Sequence, residues 1–327
     1  MSKTKVAVYG LGSIGRMVFE AIQNENFFSN QRLELVGAVD IVAESLAWAE
    51  SRGVKAWGSF QELLKAAHPD VIIHTTTSSL KNAVPQLLEI IGAKIPVVSA
   101  TEELFFPWVR NAKIAETLND ACVKNEVALM GTGVNPGFVM DVLPATFVQV
   151  CQTIEQIKVS RVVNASLRRQ PLQRRIGVGL DEAAFRKAVE AGRIAPTGLL
   201  ESLDFIAAYM GWKLTDTGQT FEPMLAAKAI STASLTIKKD HVVGYRQKAW
   251  GELDRKRVID LDLRVYLEAE RPGDHLVIKG TPPLNVWVEG GVPGDPGAVA
   301  SLIRGIPVVL KARPGIVRRL ERRFFVG

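Results

Sequence analysis

Cysteine is scarce in this sequence, which carries only Cys122 and Cys151. Two thiols are too few for a disulfide framework, and neither sits at CxxC or Cys/His spacing. No metal site is therefore expected, and both cysteines read as plain buried thiols. Long apolar runs are also missing. Nothing approaches the ~18 residues needed to cross a bilayer, and the opening MSKTKVAVYGLG lacks the apolar core of a signal peptide. A cytoplasmic protein with no membrane partner is the expectation. Aromatic residues make up only 7% of the chain, and the two basic runs, SLRRQPLQRR (166–175) and VRRLERRFF (317–325), do not interleave them as a base-stacking surface would. With no helix-turn-helix or zinc pattern nearby, the net charge of +6 describes a solvated or subunit-facing basic surface rather than a nucleic-acid partner. Repeats and low-complexity tracts are absent. With 47% hydrophobic and 23% charged residues, the chain is not disordered, and its 327 residues suffice for two domains.

What is present begins with an alternation of short apolar runs and helical periodicity. KVAVYG (5–10) leads into an amphipathic stretch over 13–24 and then LELVGAVD (33–40). Helices are predicted near 43–52 and 60–67, a strand at VIIHT (71–75), a helix at 79–91, a strand at VVSA (97–100), a helix at 108–125 and a strand at VALMG (127–131). Parallel strands with helical crossovers give an α/β domain, a doubly wound parallel sheet covered on both faces.

From about Asn135 the pattern changes to period two. KRVIDLDLRVYLEA (256–269) alternates best, with one slip near Ile259. Further strands fit 156–163, 241–253, 275–280 and 284–290, interrupted by helices over 181–192 and 197–211. The expected second domain is α+β, built on a mostly antiparallel sheet. The boundaries read as 1–134, 135–294 and a C-terminal segment, 295–327, that returns a helix to the first domain, with Asp295 as N-cap and Pro296 at its first position.

GLGSIGR places Gly10, Leu11, Gly12, Ser13, Ile14, Gly15 and Arg16 directly after a strand and at the opening of a helix. In that context G-x-G-x-x-G is the dinucleotide-binding turn of a Rossmann domain. The first glycine allows the turn, the second admits a pyrophosphate, and the third lets helix and strand approach. Asp40 ends the second strand, where a carboxylate can accept hydrogen bonds from the adenosine ribose. It would repel a 2′-phosphate, and Ile41 and Val42 supply no cation, so NADH is favoured over NADPH. Arg16 has two readings: a solvated residue of the helix's first turn, or a phosphate contact that keeps NADPH possible.

Three further clusters fall at the carboxyl edge of the predicted sheet. Thr75 and Thr76 follow the strand that ends at His74 and are candidate cofactor neighbours; Ser79 is a candidate N-cap, and His74 reads as packed rather than catalytic. Glu102 and Glu103 follow VVSA. Such a pair can complement a helix dipole, or a partly desolvated glutamate can hold a substrate ammonium, take its proton and position water. The catalytic role is assigned to Glu102 and the dipole role to Glu103. Asn135, before Pro136, is either the N-cap of the next helix or a side-chain amide offered to substrate or cofactor at an interdomain cleft.

The chain resembles the 2,4-diaminopentanoate dehydrogenase and native amine dehydrogenase family, a branch related to dihydrodipicolinate reductase. The resemblance spans nearly the whole sequence. It rests on GLGSIGR, SATEELFFPW (99–108), GTGVNPGFVMDVLP (131–144), SLRRQPLQRRIGVG (166–179), GLLES (198–202) and the block from Gly290 to Gly315. It implies that Glu102 is the essential glutamate, that Asn135 lies in the active-site loop, and that Arg161 and Asn164 sit on the strand lining the substrate cavity. It further implies oxidation of small primary amines, or reductive amination of ketones and aldehydes with ammonia, by a homodimer using NADH or NADPH. A diamino- or amino-acid substrate is the alternative within the class, and a non-catalytic dinucleotide sensor lies outside it. The histidine pair, lysine and Ser-Gly-Thr turn of true dihydrodipicolinate reductases are missing, which argues against that activity. Gly305 stands where family members often carry asparagine.

Overall fold

The computed structural model describes residues 3–24, 28, 32–167, 170–196, 198–231 and 236–318. Arg168 and the basic run from residue 319 onward lie outside them, as does Thr197. In chain order the first half gives β1 (Thr4–Tyr9), α1 (Ser13–Gln23), β2 (Leu33–Val39), α2 (Ala43–Glu50), β3 (Ala56–Trp57), α3 (Phe60–Ala66), β4 (Val71–His74), α4 (Leu80–Gly92), β5 (Val97–Ser99), α5 (Ala112–Lys124) and β6 (Ala128–Gly131). There follow α6 (Val142–Phe147), β7 (Thr153–Asn164), α7 (Gln170–Arg175), α8 (Glu182–Glu190), α9 (Leu199–Met210), β8 (Asp216–Leu225), β9 (Ile230–Ser231) and β10 (Thr236–Ile237). The chain then forms β11 (Val242–Leu253), β12 (Lys256–Tyr266), β13 (Gly273–Thr281), β14 (Leu284–Glu289), α10 (Gly294–Val309) and β15 (Gly315–Ile316).

These elements form two compact units, one of residues up to Phe138 joined by the segment from Pro293, the other of Val139–Val292. The first unit holds a seven-stranded sheet of order β15-β6-β5-β4-β1-β2-β3. Every pairing in it is parallel. Both faces are covered, as the apolar runs require: Val6 and Val8 pack towards α1 and α10, while Ala7 and Tyr9 pack towards the side of α3, α4 and α5. The chain winds outward from β1 through β2 and β3 and resumes at β4 on the other side. β1 and β4 thus flank a topological switch point, where ligands of open α/β sheets bind. The returning helix begins at Gly294, with Pro293 rather than Asp295 at its cap. At Gly305 an added Cβ would stand 2.8 Å from Val98 Cγ1 and 3.6 Å from Met130 Sδ, so glycine at this position lets α10 pack closely on β5 and β6.

The second unit is built on a six-stranded sheet of order β14-β13-β7-β12-β11-β8, in which only the β7–β12 pair is parallel. The slip in the alternation near Ile259 is a β-bulge. Gly251 faces Ile259 and Glu252 faces Arg257, leaving Val258 as the extra residue, and Val258 and Ile259 are both buried. Beyond the bulge Leu261, Leu263 and Val265 lie on the buried face, and α9 packs against β11 and β12. The opposite face is charged. Arg246 and Arg264 each donate to Asp262 at 2.7 Å. Burial alone would push the Asp262 carboxyl up, but these bonds outweigh it and hold it below the usual carboxylate range. No helix among the described residues is long and apolar enough to cross a membrane.

Candidate functional site

The glycine turn is shaped by three different demands. Gly10 has φ +101°, a conformation that favours glycine, and a Cβ there would lie 2.9 Å from Thr76 Cγ2. A Cβ on Gly15 would run into the Gly10 carbonyl oxygen, so α1 reaches β1 only because that side chain is missing. Gly12 differs. An added Cβ would meet no protein atom within 4 Å, so the protein itself has no packing need for glycine there. Gly12 also stands at the N-cap of α1, whose first turn carries neither a side-chain cap nor an acidic residue. Open backbone at the positive end of a helix fits a pyrophosphate.

Asp40 is fixed from both sides. One carboxylate oxygen accepts the Leu11 N–H at 2.6 Å and the other accepts the Val42 N–H at 2.8 Å. Leu11 itself turns its side chain into the core. Arg16 is half-buried and tied down rather than solvated. Its Nε donates to the Leu11 carbonyl at 3.0 Å, an Nη donates to Ser45 Oγ at 3.2 Å, and the guanidinium lies 4.8 Å from the Trp48 ring centroid. Ser13 and Ile14 are half-buried in the first turn of α1.

Thr75 donates its hydroxyl to the Gly10 carbonyl at 2.7 Å, and its N–H bonds Tyr9 O at 2.8 Å. Thr75 and Thr76 are therefore packed against the glycine turn, with both hydroxyls engaged by the protein; that of Thr76 reaches Gln86 Oε1 at 2.7 Å and His74 Nε2 at 2.9 Å. His74 is fully buried, its Nδ1 2.9 Å from Ser99 Oγ and its Nε2 2.8 Å from Gln86 Oε1. Burial pushes its pKa down to about 4, against the upward pull of Gln86, so the ring is neutral near pH 7.

Glu102 opens a short 3-10 turn, Glu102–Leu104, immediately beyond the carboxyl end of β5. Two neighbours hold that turn. On one side Thr101 Oγ1 donates to Thr77 O at 2.9 Å and the Glu103 N–H to Ser78 O at 3.3 Å. On the other, a Cβ on Gly131 would lie 2.6 Å from the Leu104 carbonyl, so β6 approaches through a missing side chain. Glu103 does serve a helix dipole, although not the one after it in sequence. Its Oε2 accepts the Leu80 N–H at 2.7 Å and caps α4, while the Ser79 side chain caps nothing.

Asn135 is not an N-cap, because no helix starts at Pro136; α6 starts at Val142 and is capped by Asp141, which accepts the Val142 N–H. The Asn135 Oδ1 is buried and takes no hydrogen bond among the described residues, an acceptor whose desolvation a ligand donor would relieve. Arg161 is 4% exposed and already committed. It donates to both Asp274 oxygens at 2.9 Å and to the Val292 carbonyl at 2.7 Å, and Asp274 accepts the Val292 N–H at 2.7 Å. The structure therefore gives Arg161 a clamping role in the second unit instead of an open cavity-lining one. Burial pushes the Asp274 carboxyl up despite that partner. Asn164 accepts the Ser166 N–H at 3.0 Å at the end of β7. Among the described residues no group of histidine, cysteine and acidic side chains could hold a metal ion. Burial pushes the Cys122 thiol up to about 12. Sequence reasoning did not single out Ser45, Trp48, Gln86 or Ser99, whose partners lie far away along the chain.

The sequence matches the family of the 2,4-diaminopentanoate dehydrogenase C-terminal domain over residues 138–322 and the oxidoreductase family with NAD-binding Rossmann fold over residues 4–99. It is 28% identical over 330 positions to the 2,4-diaminopentanoate dehydrogenase of Acetoanaerobium sticklandii, an alignment covering 97% of this chain and 92% of that one. The amine dehydrogenase of Mycobacterium smegmatis shares the fold with a TM-score of 0.83 at 22% identity, over 98% of both chains. A WlbA dehydrogenase from Chromobacterium violaceum, solved with NADH and UDP-GlcNAcA, superposes with a TM-score of 0.56 at 16% identity, over 95% of this chain and 86% of that one.

Two outcomes follow from the geometry. Gly12→Val should fold normally and lose NADH affinity measured by calorimetry, because the new side chain meets no protein and fills the space left for the ligand. Unchanged affinity in the folded variant would remove the turn from the binding site. The second concerns acid stability. Above pH ~6.5 His74 is neutral in both folded and unfolded chains; as the pH falls below that value the unfolded ring takes a proton that the folded ring refuses down to about 4, so stability declines across this window. Denaturant titrations at pH 7 and pH 4.5 should show the unmodified protein losing about 2–3 kcal/mol more than His74→Gln. Equal losses would mean that the buried ring titrates normally.

Proposed function

The chain belongs to the 2,4-diaminopentanoate dehydrogenase family and is an NAD-binding oxidoreductase, and we propose that it works as an amine dehydrogenase on small primary amines and their carbonyl partners. In the oxidative direction the protonated amine, oxidised NAD and one water give the carbonyl compound, an ammonium ion, NADH and one free proton; reductive amination is the reverse. The observation that carries the proposal is the placement of Glu102. Its carboxylate stands on a turn fixed by Thr77 and Gly131 at the carboxyl edge of the sheet, on the same edge as the glycine turn. Bound NAD supplies the hydride acceptor. The protein's own part is to orient the dinucleotide through the Gly12 backbone and the N-terminus of α1, with the Asn135 amide as a further polar contact. Glu102 takes the proton of the ammonium, stabilises the iminium by charge, and orients the water that hydrolyses it.

Small apolar amines are favoured because Arg161, one of the cations that could have anchored a substrate carboxylate, is spent on Asp274. The likeness to a 2,4-diaminopentanoate dehydrogenase supports the other substrate class. A panel of simple amines, diamines and amino acids with NAD, and of carbonyls with ammonia and NADH, discriminates the two. A homodimer is part of the same proposal, and light scattering tests it.

Glu102→Gln keeps the side chain's size and removes both its basicity and its charge. We expect kcat/KM for reductive amination to fall by about a hundredfold or more, within the range of acid–base contributions. NADH affinity and melting temperature should hardly change. Glu103→Gln should cost far less, since an amide oxygen can still accept the Leu80 N–H. Near-full activity of Glu102→Gln, or the larger loss in Glu103→Gln, would overturn the assignment.

The cofactor proposal is NADH in preference to NADPH. Asp40 is held in place by two N–H groups, its charge opposes a 2′-phosphate, and Ile41 beside it is apolar and 88% exposed. Arg16 is tied to Leu11, Ser45 and Trp48. kcat/KM should be higher with NADH, and Asp40→Ala should narrow the gap. A tenfold preference of the unmodified protein for NADPH would refute this reading.

A further inference from the structure

Buried imidazoles at strand ends are usually packing residues, but His74 has polar partners on both sides that belong to two different functional loops. On its Nε2 side lies Gln86 Oε1, which also accepts the Thr76 hydroxyl. Thr76 is the residue whose methyl a Cβ on Gly10 would strike, and Thr75 before it bonds the Gly10 carbonyl. On its Nδ1 side lies Ser99 Oγ, which accepts the Thr101 N–H at 3.1 Å and stands 3.0 Å from Thr101 Oγ1. Thr101 immediately precedes Glu102. One ring therefore joins the strand end beneath the glycine turn to the strand end that carries the carboxylate.

Gln86 Oε1 and the Thr76 hydroxyl stand 2.8 and 2.9 Å from Nε2, while Ser99 Oγ, whose own hydrogen goes to Thr101 Oγ1, stands 2.9 Å from Nδ1. The Thr101 hydroxyl in turn donates to Thr77 O, so the chain of bonds that starts at the ring reaches the residue before Glu102. Burial keeps the ring neutral near pH 7. The Tyr9 ring, 5.8 Å away and edge-on, fixes its plane.

We propose that His74 is a positioning residue that holds the dinucleotide-facing loop and the Glu102 turn in register through separate hydrogen bonds from its two nitrogens. The Glu102 half of this rests on the amine dehydrogenase reading, whereas the dinucleotide half does not. The two halves can be separated chemically, because an asparagine amide reaches the place of Nδ1 and a glutamine amide the place of Nε2. His74→Gln should keep the Gln86 bond and lose that of Ser99. Its kcat should fall about tenfold, the scale of one or two lost positioning hydrogen bonds, with Kd for NADH within twofold. His74→Asn should do the reverse, raising Kd for NADH about tenfold while kcat at saturating NADH stays within about threefold. Ser99→Ala should reproduce the glutamine variant and Gln86→Leu the asparagine variant, so the split is still measured if a His74 variant fails to fold.

Kd is read by calorimetry without amine present. If Glu102→Gln keeps full activity, the functional reading fails on its own account, and the change of NADH affinity in His74→Asn still tests the dinucleotide half. The proposal is overturned if the glutamine and asparagine variants alter kcat and Kd in equal proportion, or if neither alters either. Both results describe a residue that merely fills the core.

Discussion

Everything at the candidate site depends on one close approach, that of the Gly10 carbonyl to α1 and to Thr75. A side chain on Gly15 would occupy the place of that carbonyl, and the Thr75 hydroxyl completes the contact with a 2.7 Å hydrogen bond. The approach joins β1, α1 and β4 at the switch point of the sheet, and the polar side chains around it are then placed by attachment. Asp40 is anchored to the Leu11 N–H and Arg16 to the Leu11 carbonyl, so a carboxylate and a guanidinium are both referenced to one residue of the turn. Thr76 passes the constraint on to Gln86 and His74. A dinucleotide site built this way is already organised before the ligand arrives, so little of the binding energy is consumed in ordering it.

The second unit answers a different constraint. Its sheet buries one face and leaves the other charged, and Arg161 falls on the buried row, level with Leu263 and Gln247. A guanidinium there must be paired, because removing one partner of a buried pair costs about 3–5 kcal/mol. Asp274 answers it from β13, and both groups also bond the Val292 backbone. Such a pair adds little net stability over apolar packing, yet its geometry specifies how β7, β13 and the chain at Val292 lie together. Burial and pairing oppose each other at Asp274, whereas on the half-open face the two arginines beside Asp262 prevail.

Much of this fold was legible because its periods are strong. The parallel strands are continuous apolar runs and β12 alternates cleanly, so that even its slip had a physical meaning as the bulge at Val258. The elements missed are those without a period: β3 and β15 have two residues each, and β8 carries Gly218 and Pro223 in its ten. At the candidate site, the positions of the glycine turn, Asp40 and Glu102 at strand ends were legible because they follow directly from the apolar runs before them. The partners of Arg16 and Arg161, and the helix that Glu103 caps, were not. Each lies 23 to 131 positions away: Ser45 for Arg16, Val292 for Arg161 and Leu80 for Glu103. Asn135 before Pro136 imitates a helix start, but the chain turns through Gly137, with φ +129°, before α6 begins.

For the proposed amine chemistry, the charge state of His74 matters as much as its hydrogen bonds do. Oxidation of an ammonium substrate passes through a cationic iminium, and a carboxylate stabilises that cation only in so far as no nearby positive charge competes. An ordinary imidazole close to the Glu102 turn would be partly protonated just below neutrality and would oppose the developing charge. Burial, with its pull towards a pKa of about 4, prevents this without removing the ring's capacity to bond Gln86 and Ser99. Leucine would avoid the competing charge and lose the register, while lysine would supply hydrogen bonds and carry a charge that resists removal. Neutral histidine satisfies both demands at once, because each of its two nitrogens meets a polar partner while the ring carries no charge.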